Sequence, residues 1–151
     1  MHIAIETPDQ TEVIELIAAL DEYQQSLYPP ESTHLLDLES LKQSNVIFVV
    51  ARDADHQAVG CGAVVVEPDH GELKRMYVHP RGRGRGVAKA IIAKLETEAV
   101  NMGCDVLMLE SGPFQPEALA LYDRCGFERR GPYGDYWDDP LSVFMQKRIS
   151  G

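Results

Sequence analysis

Arg81-Gly82-Arg83-Gly84-Arg85-Gly86 alternates arginine with glycine between a strand-like stretch, residues 73–78, and a helix-like one, residues 87–95. Glycine lets a main chain turn sharply and lie against a ligand with no side chain between them. Successive backbone N–H groups ahead of a helix form a concave donor site, to which the helix dipole adds partial positive charge. The arginines bring full charges and forked donors suited to phosphate. The loop reads as a seat for a pyrophosphate, and its surroundings decide which carrier brings that group.

Downstream, Val87, Ala88, Ile91, Ile92, Leu95 and Ala99 form one apolar stripe, which predicts a helix over residues 87–101 ended by Gly103. Residues 105–110 then read as a buried strand, residues 115–124 as a short helix with Pro116 in its first turn, and residues 127–130 and 141–147 as two last strands. Upstream, Ile3 and Ile5 mark a short first strand. A helix opens at Asp9 or Thr11, carries Val13, Ile14, Ile17, Ala18, Leu20 and Leu27 at helical spacing, and stops at Tyr28-Pro29-Pro30. Residues 31–44 suggest a loop and a second short helix. Residues 46–51 and 57–67 form a hairpin, and residues 72–78 the third strand of a meander. Three meandering strands followed by a strand-helix-strand crossover predict a mixed α/β sheet with helices on both faces.

The chain has 151 residues, enough for one domain with a real core, and a formal net charge of -10. Half of the 14 lysines and arginines (Lys74, Arg75, Arg81, Arg83, Arg85, Lys89 and Lys94) fall in one acid-free segment, leaving seven against 24 acids elsewhere. A basic patch on an acidic body suits a small polyanion and argues against a nucleic-acid-binding surface. No apolar run approaches membrane-spanning length, and no secretory signal pattern opens the chain. Cys61, Cys104 and Cys125 include no Cys-x-x-Cys pair, so neither a disulfide framework nor a metal site is expected, and a cytoplasmic home is.

Three phosphate signatures compete for the loop and fail, the first being an arginine-glycine RNA-binding tract, which would be longer, interleaved with aromatics and not clamped between regular elements. A P-loop needs Gly-Lys-Ser/Thr at the helix start, where this chain has Arg85 and Val87. The dinucleotide fingerprint needs a third glycine or alanine, and the two candidate frames meet Val87 and Lys89 there. Arg/Gln-x-x-Gly-x-Gly/Ala remains, matched by Arg83 to Ala88 and, in an overlapping frame, by Arg81 to Gly86. With Met76-Tyr77-Val78-His79-Pro80 before it and Leu121-Tyr122-Asp123-Arg124-Cys125-Gly126-Phe127 after it, the first frame resembles the GNAT superfamily of acetyl-CoA-dependent N-acetyltransferases over nearly the whole chain.

That resemblance implies one domain over residues 1–151 with the GNAT acyl-CoA N-acyltransferase fold and splayed strands 4 and 5. It implies acetyl-CoA as co-substrate and no metal. Backbone amides of Gly84, Arg85, Gly86, Val87, Ala88 and Lys89 would wrap the pyrophosphate, with Arg83 beside them and Arg81, Arg83 and Arg85 side chains toward solvent or the 3′-phosphate. Met76, Tyr77 and Val78 would lie along the pantetheine arm, main chain to main chain. Gln115 stands where many relatives carry asparagine for that arm.

Acetyl transfer to an amine needs a proton acceptor, an oxyanion donor and a proton for the departing thiolate. Family position assigns these to Glu72, the Val78 N–H and Tyr122. His34, Glu110, Tyr133, Asp135 and Tyr136 are expected around a small amine or peptide amine, whose charge the aromatic and acidic stretch 132–140 would suit. The superfamily is often dimeric, which leaves a homodimer open. The rival of the same fold is a silent CoA-binding sensor, which would need neither Glu72 nor Tyr122.

Overall fold

The computed structural model describes residues 1–32 and 37–150. His34 therefore lies outside the described residues. Seven strands form one sheet in the order β1-β2-β3-β4-β5-β7-β6. They are β1 (His2–Ile5), β2 (Val46–Arg52), β3 (Ala58–Val66), β4 (Gly71–Val78), β5 (Val106–Ser111), β6 (Glu128–Arg130) and β7 (Val143–Arg148). The helices are α1 (Thr11–Leu27), α2 (Leu38–Leu41), α3 (Val87–Asn101) and α4 (Pro116–Arg124), with single 3₁₀ turns at Pro30–Ser32 and Pro80–Gly82.

Alternation along β2 sorts the core into two layers. Ile47, Val49 and Ala51 join the buried stripe Val87, Ile91, Ile92, Leu95 and Ala99 of α3, together with Leu119 and Tyr122 of α4. Phe48 and Val50 face the other way, onto Val13, Leu16 and Ile17 of α1 and Leu41 of α2. Helices thus cover both faces, as expected. The α1 stripe differs in detail: Leu16 is buried and Ile14 is exposed.

All neighbouring strands run antiparallel except β4 and β5, which pair in parallel only at Gly71–Leu107, Glu72–Met108 and Leu73–Leu109. Beyond Leu109, β5 stays with β7 as far as the Ser111–Val143 pair, so β4 and β5 part company. A bulge in β4 accompanies the parting. The β3 register passes from Cys61–Tyr77 to Ala63–Lys74, so Gly62 faces both Arg75 and Met76. Arg75 has φ +60°, a left-handed backbone that costs a non-glycine residue about 1–3 kcal/mol. Its buried side chain pairs with Asp21 of α1, which holds it there. A Cβ on Gly62 would stand 2.5 Å from Met76 Sδ and 2.8 Å from Ile91, so the bulge and α3 close over a residue without one.

Candidate active site

The mouth of the splay is the Arg/Gly turn. Gly84 (φ +77°) and Gly86 (φ +72°) both adopt the left-handed region, and a Cβ on either would meet nothing within 4 Å. The concave side is therefore open. Gly86 is the N-cap of α3 and offers no side chain to the first-turn amides. The first helical bond runs from Ala90 N–H to the Gly86 carbonyl at 3.0 Å, which leaves the Val87, Ala88 and Lys89 N–H groups ahead of the ladder. Two arginines of the turn also bond to its backbone surroundings. Arg81 donates to the Ala58 carbonyl at 2.8 Å and Arg83 Nε to the Val78 carbonyl at 3.0 Å, so both brace the turn while remaining exposed.

From that turn the free edge of β4 leads inward. His79 N–H donates to the Val59 carbonyl at 2.8 Å. Hydrogen-bonded pairs alternate in an antiparallel ladder, so the N–H and C=O of Val78, opposite Gly60, turn away from β3; Arg83 takes the carbonyl, and the N–H faces the gap left by β5. Met76 lines the cleft beside them.

The cleft encloses about 100 Å³ and reaches Glu72, Glu110, Gln115 and Tyr122. Tyr122 packs edge-on against Phe127 and is only 8% exposed. Its hydroxyl has no hydrogen-bond partner among the described residues. Burial, reinforced by Cys125 and Glu110, pushes its pKa up, so the phenol keeps its proton. Gln115, the N-cap of α4, accepts from the Tyr28 hydroxyl at 3.3 Å, and that hydroxyl accepts from Phe114 N–H at 3.1 Å. Held by its oxygen, the Gln115 amide keeps its NH₂ donors for the cleft. In the sequence Tyr28 marks the end of the first helix, before Pro29 and Pro30, and nothing local points to its partner Gln115. Its ring fills the space over Gly112, where a Cβ would fall 1.8 Å from the phenol oxygen. Gly112→Ala should displace Tyr28, destabilise the fold by about 1–3 kcal/mol in urea melts, and loosen the α4 N-terminus.

Glu72, expected as the proton acceptor, is held differently. Its Oε2 accepts from the hydroxyls of both Tyr133 (2.9 Å) and Tyr136, with Lys74 Nζ at 3.6 Å. Lys74 also donates to Tyr136 at 2.8 Å. Two hydroxyls and the nearby Lys74 cap Oε2, so Glu72 anchors an aromatic cluster with one oxygen while Oε1 makes no hydrogen bond to any described residue. Tyr133, Tyr136 and Phe144 meet edge to face at 5.1–5.8 Å. Tyr133 and Tyr136, expected as walls for a cation, thus turn their hydroxyls onto Glu72. Burial and that carboxylate raise both phenol pKa values.

Asp135 lies exposed at a second hollow of about 500 Å³, which shares Glu72, Lys74 and Tyr136 with the cleft. Asp139 is buried, accepts from Ser32 and Leu141 N–H, and ties residues 132–140 to the 3₁₀ turn Pro30–Ser32. Glu110 sits at the splay itself. Its Oε2 accepts from Ser142 at 2.8 Å, while burial pushes its pKa up to about 7 against the opposing pull of that bond and of Lys74.

A helix N-terminus with open amides, leading along a free strand edge to a buried phenol, is matched by comparison with known families. Residues 13–127 fit the model of the acetyltransferase (GNAT) family. The chain belongs to the GNAT acetyltransferase family. It is 45% identical to the IAA acetyltransferase of Azospirillum brasilense, over 97% of each chain. It is 37% identical to an N-acetyltransferase of Bacillus subtilis strain 168, over 99% of this chain and 100% of that one. A Klebsiella pneumoniae structure described as an acyl-CoA N-acyltransferase superposes with a TM-score of 0.87 at 40% identity, covering 98% of this chain and 97% of that one. An aminoglycoside 6′-N-acetyltransferase solved with coenzyme A shares the GNAT fold at a TM-score of 0.75 and 19% identity, covering 100% of this chain and 98% of that one. Among the described residues, no group of His, Cys, Asp and Glu could hold a metal, and no helix is long and apolar enough to cross a membrane.

Proposed function

We propose that this GNAT acetyltransferase moves an acetyl group from acetyl-CoA directly to an amine while both are bound. The reading rests above all on the β4–β5 splay, which runs from the open amides of α3 to the unpartnered hydroxyl of Tyr122. The residues present fit the donor. Amides of the stretch 84–89 would take its diphosphate, the β4 edge at Met76 and Val78 its pantetheine amides, and Gln115 a carbonyl of the same arm. The donor supplies a thioester carbonyl that a neutral amine can attack. The Val78 N–H faces the gap where negative charge gathers on the carbonyl oxygen, and the Tyr122 O–H supplies a proton to the leaving sulfur. No nucleophilic side chain is required, and Cys61, fully buried with its thiol pushed up to about 12, is no candidate for one. The likeness to named N-acetyltransferases supports nitrogen as the accepting atom, as does the acidic lining of the adjoining hollow at Glu67, Asp69 and Asp135.

A thiol-release assay with acetyl-CoA and a panel of primary amines, beside calorimetry with acetyl-CoA alone, tests the reading. Heat of binding together with amine-dependent thiol release is expected. Heat without release from any amine would leave a CoA sensor, and no heat would overturn the donor site.

A further inference from the structure

We propose that Glu110 on β5, rather than Glu72 on β4, accepts the proton of the incoming ammonium, and that Ser142 is its positioning residue. The proposal rests on the acetyl-transfer reading above and assigns a role within it.

Three observations converge on Glu110. It is the first β5 residue beyond Leu109, the last one paired with β4, so it stands at the fork of the splay and lines the cleft. Only Oε2 is engaged, by the Ser142 hydroxyl at 2.8 Å, and Oε1 makes no hydrogen bond to any described residue. Glu72 lines the same cleft with its Oε1 likewise unengaged, but it lies within the paired part of β4 and its Oε2 is tied to two tyrosine hydroxyls with Lys74 at 3.6 Å, whereas Glu110 stands at the fork with one neutral hydroxyl as its partner. The Glu110 surroundings are mixed in charge. Glu72 and Lys74 face it from β4, Asp139 from the stretch before β7, Tyr133 and Tyr136 from the same stretch, Tyr122 from α4 and Tyr28 from the end of α1. Burial dominates this set and holds the carboxyl near the value at which a general base works best at neutral pH.

Ser142 is fixed by the turn that precedes it. Its N–H donates to the Asp139 carbonyl at 2.9 Å, and the Asp139 carboxylate is anchored by Ser32 and Leu141 N–H. The stretch Asp139-Pro140-Leu141-Ser142 thus aims one hydroxyl at Glu110 and leaves the other carboxylate oxygen for substrate.

An N–H bond of the ammonium breaks and an O–H bond forms on Glu110, freeing the nitrogen lone pair. The lone pair attacks the thioester carbonyl and the C–S bond breaks. The second proton shed by nitrogen replaces the one Tyr122 gives to sulfur, and Glu110 returns its proton to water.

Because the carboxyl must be ionised to act, kcat/KM should rise with pH through about 7. Glu110→Gln is expected to lower kcat by roughly 100-fold or more and to remove that rise, with acetyl-CoA affinity by calorimetry unchanged. Ser142→Ala removes a bond that favours the anion and orients Glu110, and should move the rise upward by about one pH unit while lowering kcat several-fold, a shift in the pH profile that a purely structural serine would not cause. Glu72→Gln should leave the rise in place. The probes are putrescine, tyramine, lysine and glucosamine, with a carbon-13 NMR titration of labelled glutamate assigned through Glu110→Gln. A rise that survives Glu110→Gln and vanishes in Glu72→Gln overturns the proposal. If no amine reacts, the titration still decides, since a Glu110 carboxyl titrating in the ordinary carboxylate range overturns it independently of the acetyl-transfer reading.

Discussion

Gly86→Asp should abolish acetyl-CoA binding while leaving the fold intact. Aspartate tolerates the left-handed backbone better than most residues and is among the best helix N-caps. At Gly86 nothing lies within 4 Å of a new Cβ, so the side chain has room. Its carboxylate would accept from the first-turn amides of α3 and place a negative charge where the diphosphate belongs. Losing two or more charge-assisted bonds, at about 1.5–3 kcal/mol each, corresponds to a loss of roughly 100-fold or more in affinity. The melting temperature should fall by only a few degrees, because the left-handed backbone at φ +72° strains any side chain and the new carboxylate offsets part of that cost at the uncapped helix start. Calorimetry with acetyl-CoA and a thermal melt decide the matter together. A variant that binds like wild type would mean that these amides do not hold the donor.

Tyr122→Phe should separate chemistry from binding. The phenol hydroxyl bonds to no described residue, so its removal breaks nothing in the resting fold, and stability should stay the same or increase slightly. The affinity for acetyl-CoA should change by no more than a few fold. Turnover should drop by about 100-fold, the lower end of what a positioned proton donor contributes. A drop in kcat with KM held is the signature of an interaction made only as the bond breaks. Unchanged turnover would remove Tyr122 from the mechanism and leave it as a packing residue against Phe127.

Local signals made most of the architecture legible. The helix at residues 87–101 could be bounded from its stripe, the glycine turn before it and Gly103 after it, because each of those acts over a few residues. The two-sided sheet followed from alternation in residues 46–51. The bulge was not legible, since an arginine with positive φ leaves no compositional trace and depends on Asp21, 54 positions away. The two carboxylates of the site were visible as residue types, but their roles were not. Glu72 takes its two tyrosine donors from Tyr133 and Tyr136, more than 60 positions later. Glu110 acquires its partner from Ser142, 32 positions on. Likewise, the match between Gly112 and Tyr28 joins segments that share no local pattern.

The brief parallel pairing of β4 with β5 has a mechanical consequence. Past Leu73 and Leu109 the two halves of the sheet share side-chain packing but no ladder, so backbone amides from Met76 to Val78 that point into the gap have no strand to shield them. A pantetheine arm laid there would act as a missing thread, stitching one half to the other. Amide deuteration along this stretch should then slow on saturation with acetyl-CoA, and the enzyme would gain rigidity at the moment it takes up its donor.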